Sequence, residues 1–451
     1  MFFAKEKYSM AKTFSGGIHP PECKQQTENK PFIHFPLGDK LVCLMSQHIG
    51  IPAKPIVKKD EKVKRGQVIG EASGMVSCFI HAPTSGTVVA VEPVIHPLGR
   101  KMEAVIIQPD GEDIWMEDFS KCRAKAKKLS AQEMLKIIQD SGIAGMGGAT
   151  FPSHVKLSPP KDKVIDTLII NGVECEPYLT CDHRLMLDFA EEIIQGAKII
   201  QSILGVKQIH IGIEGNKPDA FEKIKQAASQ KECEDIHVHL LKVKYPQGAE
   251  KQLIKAIINR DVPAGGLPMD IGVVVHNVMT TYYIYRAIYF NEPVTERYLT
   301  ITGDGVENPQ NLRVRIGTPI SKILEYAKLR PGSKKIILGG PMMGMAQYSE
   351  EVPVTKGTSG ILVLQDTQDM DYKNCIRCGA CVDHCPMRLV PSELSITLQR
   401  GRVDLAEQYN LMDCMECGVC AYVCPANRPI VQFVKLGKAQ LMKQRKAKGA
   451  K

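Results

Sequence analysis

Eight cysteines between Cys375 and Cys424 set the chemistry of this chain. They fall in two runs, CIRCGACVDHCP and CMECGVCAYVCP, each spelling Cys-x-x-Cys-x-x-Cys-x-x-x-Cys-Pro. Two residues between cysteines let three thiolates wrap one face of an iron–sulfur cubane, while the fourth points away to the other cluster. The spacing therefore predicts two [4Fe–4S] clusters. Cys375, Cys378, Cys381 and Cys424 form one ligand set, and Cys414, Cys417, Cys420 and Cys385 form the other. Pro386 and Pro425 end the two loops, because proline has no N–H and a fixed φ. Zinc and disulfides are the competing uses. Zinc favours paired Cys-x-x-Cys units with four ligands in all, and disulfides need an oxidising compartment. Two clusters with no other chemistry between them make a wire for single electrons, and the rest of the chain must supply what feeds it.

The spacer LSITLQRGRVDLAEQYN reads as two short helices around Gly401, which would hold the two runs together. A chain of 451 residues leaves room for three or four domains. The net charge of +9 suits an acidic partner or a membrane surface and is no nucleic-acid signature. The other cysteines (Cys23, Cys43, Cys78, Cys122, Cys175, Cys181, Cys233) are scattered without ligand spacing, which indicates a reducing compartment. No apolar run reaches the roughly eighteen residues that a membrane span needs. Met1–Tyr8 carries only the Phe2-Phe3 pair, too short for a signal-peptide core, and residues 1–12 are expected to be a disordered tail.

Phe14–Lys24, FSGGIHPPECK, reads as an extended segment with no chemistry of its own. Short strands follow, with Val57, Val63, Val68 and Ile69 as β-formers and Gly66, Gly70 and Gly86 at turns. Lysine-rich Lys121–Lys128 marks a boundary. SAQEMLKIIQDSG then opens a helix, with Ser130 and Glu133 as a capping box. Next comes GIAGMGGATFPSHVKL. Gly145, Gly147 and Gly148 let backbone N–H groups approach a flat ring or a phosphate, and Lys156 can add a positive charge; a tight turn with a solvated lysine is the alternative. Val164–Ile170 reads as a buried strand. Asn171, Glu174 and Glu176 follow it, where an open α/β sheet keeps its ligands. Further strands alternate with helices up to Phe290, which argues for a doubly wound sheet.

Val63–Gly70 and Ala82–Val89 resemble a biotinyl/lipoyl-type barrel-sandwich domain, with Ala72-Ser73-Gly74 where a carrier would present its lysine. The glycine loop, Glu174–Glu176, Tyr245-Gly248-Glu250-Leu253 and Asn277-Val278 with Thr280 resemble the FMN- and NADH-binding flavoprotein subunit of respiratory complex I. The whole order, from about Thr13 to about Gln432, resembles the RnfC family of the Rnf electron-transport complexes. That resemblance implies Gly145, Gly147, Gly148, Lys156, Asn171, Glu174, Asn277 and Thr280 as FMN-binding residues. It implies Phe151, Glu176, Tyr245 and Glu250 on the NADH side. Met146, Thr150, His154, Val173, Ala249 and Asn216 depart from the complex I pattern, and His183 is an insertion before Arg184.

Tyr298–Leu364 resembles the soluble-ligand-binding β-grasp domain of the same flavoprotein, with Met342, Met343 and Met345 read as packing. The tail after Val434 is basic, either a solvated helix end or a contact for anionic lipid or a partner. The expected architecture is multidomain α/β: barrel-sandwich over 13–120, doubly wound flavin domain over 129–290, β-grasp over 291–366, helical ferredoxin-like two-cluster domain over 370–432, and basic tail over 433–451. The resemblance implies a peripheral subunit on the cytoplasmic face of the cell membrane. It would exchange electrons with NAD(H) through FMN and pass them along two [4Fe–4S] clusters, without side-chain acid or base chemistry. Its partners would be the other subunits of a complex that moves Na⁺ or H⁺, and ferredoxin indirectly. A soluble reductase of the cobalamin reductase type and an electron carrier without an active flavin site are the competing readings.

Overall fold

A computed structural model describes residues 11–119, 128–230, 233–366 and 371–449. Cys122, most of the 121–128 boundary and most of the 1–12 tail lie outside them. The first domain packs two small antiparallel sheets face to face. The hairpin of Gly86–Ile95 and Lys101–Pro109 carries Leu41–Leu44 and Lys62–Val63 at its edges, and the second sheet holds Lys54–Pro55, Val68–Glu71 and Ile80–His81. Cys43, Val63, Ile69, Ile80, Val88 and Val105 fill the space between. Gly70 lies within a strand, at a register shift, rather than at a turn. Val57 is buried in the core without belonging to a strand.

The central domain is a four-stranded parallel sheet in the order Ile236–Leu241, Gln208–Glu214, Thr167–Asn171, Val273–Asn277. Chain order therefore reverses between the last two strands. Leu168 and Ile170 face a core shared with the helices Ala190–Leu204 and Val278–Phe290, whereas Ile169 faces the helix Glu250–Ile258. The first strand starts at Thr167, not Val164, which is 82% exposed. Asp166 just before it is held at the surface by Arg260, at 2.8 Å. The helix Ala131–Asp140 has its capping box: Ser130 Oγ accepts from the N–H of Glu133, whose carboxylate accepts from the N–H of Ser130 at 2.7 Å.

The next sheet is mixed. Glu296–Thr302 and Gln310–Arg315 form a hairpin, the helix Ile320–Ala327 follows, and Lys335–Leu338, Met345–Gln347 and Gly360–Leu364 complete it. Gly360–Leu364 runs parallel to Glu296–Thr302 at the centre, the β-grasp arrangement. Phe32–His34 from the N-terminal region adds a parallel edge strand.

In the C-terminal domain the two cysteine runs fold alike. Gly379 and Gly418 each adopt φ +82 and start the short helices Ala380–Asp383 and Val419–Tyr422. Helices Pro391–Gln399 and Val403–Gln408 flank Gly401. The helix Ile430–Gly449 crosses residue 433 unbroken and buries Val434 and Leu441 in the same core as Leu394 and Leu411. The front of the basic tail is therefore part of this domain. Lys438 donates to the Cys414 carbonyl and pairs with Glu416 at 2.8 Å, and Arg445 pairs with Glu407 at 2.6 Å.

Candidate functional site

The carboxyl ends of Thr167–Asn171 and Val273–Asn277 stand side by side, with Asn171 and Asn277 in register. Strand order reverses there, so the crevice between them is the switch point where open α/β sheets take ligands. The glycine loop lies over it. A Cβ on Gly147 would meet the Asn277 side chain at 2.7 Å, so only glycine lets the loop close on that strand end. The N–H of Met146 donates to Thr280 Oγ1 at 2.9 Å, and buried Arg297 donates to the Met146 carbonyl at 2.7 Å. Asn277 caps the helix Val278–Phe290, accepting from the N–H of Met279, and its amide donates to Asp182 at 2.6 Å. The Asn171 amide donates to the Gly248 carbonyl at 2.8 Å, which brings the Tyr245–Glu250 motif to the same crevice.

Lys156 and Glu250, far apart in the chain, meet at 2.5 Å. Glu174 adopts φ +45 and turns its carboxylate onto the N–H groups of Asp182 and His183, at 2.6 and 3.2 Å. Ligand atoms of Glu174, Cys181 and Asp182 lie within 4.8 Å of one another, a grouping that residue spacing does not reveal. Burial, with the Glu174 carboxylate beside it, raises Asp182 well above the ordinary carboxylate range. The Glu176 carboxylate accepts from the N–H groups of Met342 and Met343, at 3.1 and 2.9 Å, and so ties the flavin-type sheet to the β-grasp. Burial nevertheless pushes it up to about 6. Phe151 closes the loop through its carbonyl, which accepts from the N–H of Gly145 at 2.8 Å.

The two sets of four cysteines line two separate cavities. Cys385, Cys414, Cys417 and Cys420 line one, and Cys375, Cys378, Cys381 and Cys424 line the other. The first touches the central domain. Tyr245, itself buried, donates from its hydroxyl to the Cys417 carbonyl at 2.8 Å, and Gln252 donates to the Pro386 carbonyl at 3.1 Å. The second opens outward at Cys378, which is exposed. Burial raises the Cys417 thiol to about 12, so iron would have to displace that proton.

The N-terminal segment was expected to be chemically idle, and the structure makes it a strap between these parts. Gly16 adopts φ +79, and a Cβ there would meet the Cys385 carbonyl at 2.9 Å. Ile18 bridges to Tyr245. Fully buried Lys24 donates to the carbonyls of Glu174 and Glu176, at 3.1 and 3.0 Å. His19, Glu22 and Lys24 line a cavity of about 180 Å³ with Cys175, Glu214 and Tyr245. The one sequence signal was the pair Gly16-Gly17.

The crevice fits a flat, anionic nucleotide: it joins a glycine loop and a lysine, and the residues next in sequence to Asn277 and Gly248 carry buried nitrogens without a partner among the described residues, His276 Nε2 and Gln247 Nε2. The cysteine cavities offer four soft thiolate donors each, the donor set of iron–sulfur cubanes. Together they define an electron-transfer protein with a flavin-type fold and iron–sulfur centres. Residues 138–286 match the Nuo51 FMN-binding domain, residues 12–112 the RnfC barrel sandwich hybrid domain, and residues 374–428 the 4Fe-4S dicluster domain. The chain is 47% identical over 435 residues to the C subunit of the proton-translocating ferredoxin:NAD(+) oxidoreductase complex of Clostridium ljungdahlii, covering 96% of this chain and 94% of that one. It is 44% identical over 439 residues to the C subunit of the Na(+)-translocating ferredoxin:NAD(+) oxidoreductase complex of Acetobacterium woodii, covering 96% and 98%. A solved structure of NAD⁺-reducing [NiFe]-hydrogenase aligns at 18% identity and a TM-score of 0.46, over 63% of this chain and 54% of that one. The chain belongs to the RnfC family, the C subunits of ion-translocating ferredoxin:NAD(+) oxidoreductase complexes.

Proposed function

We propose that this chain exchanges electrons with NAD(H) at the switch-point crevice and relays them through two [4Fe–4S] clusters. It would do so within a membrane complex that couples ferredoxin:NAD⁺ oxidoreduction to Na⁺ or H⁺ movement. The observation that carries this reading is the direct contact of Tyr245, from the nucleotide motif, with Cys417, from the nearer cysteine set. FMN, when bound, supplies the conversion between a two-electron hydride and single electrons.

The chain's own residues hold and orient. Gly145, Gly147 and Gly148 present backbone to the flavin, with Asn171, Glu174, Asn277 and Thr280 around it, and Lys156 offers charge to its phosphate. Phe151, Glu176, Tyr245 and Glu250 line the nicotinamide side. Cys385, Cys414, Cys417 and Cys420 hold the cluster next to Tyr245, and Cys375, Cys378, Cys381 and Cys424 the outer one. Electrons would pass between the crevice and solvent-facing Cys378 in that order, or the reverse.

No helix among the described residues is long and apolar enough to cross a membrane. Attachment would therefore run through partner subunits at the cytoplasmic face. The test is anaerobic addition of NADH to protein reconstituted with FMN and iron. The flavin absorbance should bleach, followed by the cluster bands. Protein that binds no flavin, or holds flavin that NADH does not reduce, would be a carrier only.

A further inference from the structure

A histidine cluster lies on the two strands at the edge of the sheet away from the crevice. His237-Val238-His239 sits on the strand Ile236–Leu241, and His210 on its neighbour Gln208–Glu214. His210 is the register partner of His237, and Gly212 is that of His239. Paired residues of a parallel sheet share a face, and residues two apart return to it. All three imidazoles therefore project from one face. Val238 packs into the core on the opposite side. His210 Nδ1 and His239 Nε2 face each other at 2.9 Å. The His210 ring centroid lies 5.1 Å from that of His239 and 5.3 Å from that of His237.

We propose that His210, His237 and His239 form a site for one divalent transition-metal ion of the imidazole-binding class, with Zn²⁺ as the type case. His-x-His on a strand with a third histidine on the adjacent strand sets three imidazoles on one face; two of them already meet, and the His237 ring must turn to bring its nitrogen to the other two. Ligand bonds of about 2.0–2.1 Å place two nitrogens about 3.3 Å apart in a tetrahedral site. The pair at 2.9 Å needs to open by only a few tenths of an ångström. His237 is exposed, so its ring is free to rotate into the third position. Burial and neighbouring positive charge keep His210 and His239 unprotonated at neutral pH, the state a metal ligand must have. Two cations face the cluster. Lys12 is drawn off by the Ile257 carbonyl at 2.7 Å, and Arg260 by Asp166. They moderate the affinity without occupying the site.

The experiment is equilibrium dialysis of Zn²⁺ against the full, iron-replete protein, with zinc and iron measured together. Iron content reports that the cysteine sites stay filled. Wild type should take up one zinc per chain. His239→Gln or His210→Asn, each keeping a polar side chain, should weaken uptake at least tenfold with iron unchanged, and His237→Gln severalfold. Lys12→Ala, which removes a facing cation, should tighten it. Equal uptake by wild type and by the double variant His210→Asn/His239→Gln, or no saturable uptake by wild type, overturns the site.

Discussion

The hydroxyl of Tyr245 donates to the backbone carbonyl of Cys417 at 2.8 Å, across 172 positions of sequence. Met342 from the β-grasp packs on the same contact, beside Val419. Three domains thus meet where electrons would leave the crevice. Tyr245→Phe removes that hydrogen bond while keeping the ring, at a cost of about 1 kcal/mol. Flavin and iron content should stay as in wild type, as should NADH-driven ferricyanide reduction. Cluster reduction by NADH should slow in stopped-flow. An unchanged cluster phase would mean that the contact has no part in the relay.

Lys156 and Glu250 form a half-exposed ion pair at 2.5 Å. If Lys156 serves the FMN phosphate, it must exchange Glu250 for the phosphate. Lys156→Ala should weaken FMN binding roughly ten- to a hundredfold, the effect of losing a charge-assisted contact. Glu250→Ala frees the lysine, so FMN should bind at least as tightly, while NADH oxidation falls. Fluorescence titration of FMN against both single variants and the double variant checks this. Independent, additive effects would rule out the exchange.

The nearer cavity draws Cys385 from the first run and three cysteines from the second. Cys385→Ser should therefore damage the same cluster as Cys417→Ser and spare the one that Cys378→Ser destroys. Electron paramagnetic resonance of the dithionite-reduced variants separates the two signals. A Cys385→Ser spectrum matching that of Cys378→Ser would refute the crossed sets.

The cysteine spacing alone groups the eight sulfurs into the two sets that line the cavities, because a short loop fixes where each thiol points. The alternating strands and helices of the central domain were legible for a similar reason: periodicity is local. Pairings across distant sequence were not. Nothing near Lys156 announces Glu250, and nothing near Glu176 announces the N–H groups of Met342 and Met343. Lys24 is a surface-type residue, yet its buried ammonium group meets three carbonyls, those of Glu174, Glu176 and Leu179. The strap over Phe14–Lys24 was missed because an extended segment has no period to read. Its function lies in carbonyls and N–H groups that every residue carries. The start of the first central strand was misplaced at Val164 because a continuous apolar run counts Val164 and Ile165 with the strand, although Asp166 turns outward to Arg260.

Glu176 gives a pH test of how the central domain is held to the β-grasp. Burial raises its carboxyl to about 6, although two backbone N–H groups point at it. A folded pKa above the unfolded value means that the folded state binds more protons between the two. Its contribution to stability is therefore fully present below about 4.5 and is lost as pH rises through about 6. The size is roughly 2 kcal/mol, from about 1.4 kcal/mol per pKa unit. Glu176→Gln cannot ionise, so it lacks this slope. Chemical unfolding of wild type and variant should show wild type losing stability relative to Glu176→Gln between about pH 4.5 and pH 6. The gap should be flat above that range. A wild type that instead gains on the variant as pH rises would mean that the two N–H groups outweigh burial, with Glu176 ionised throughout.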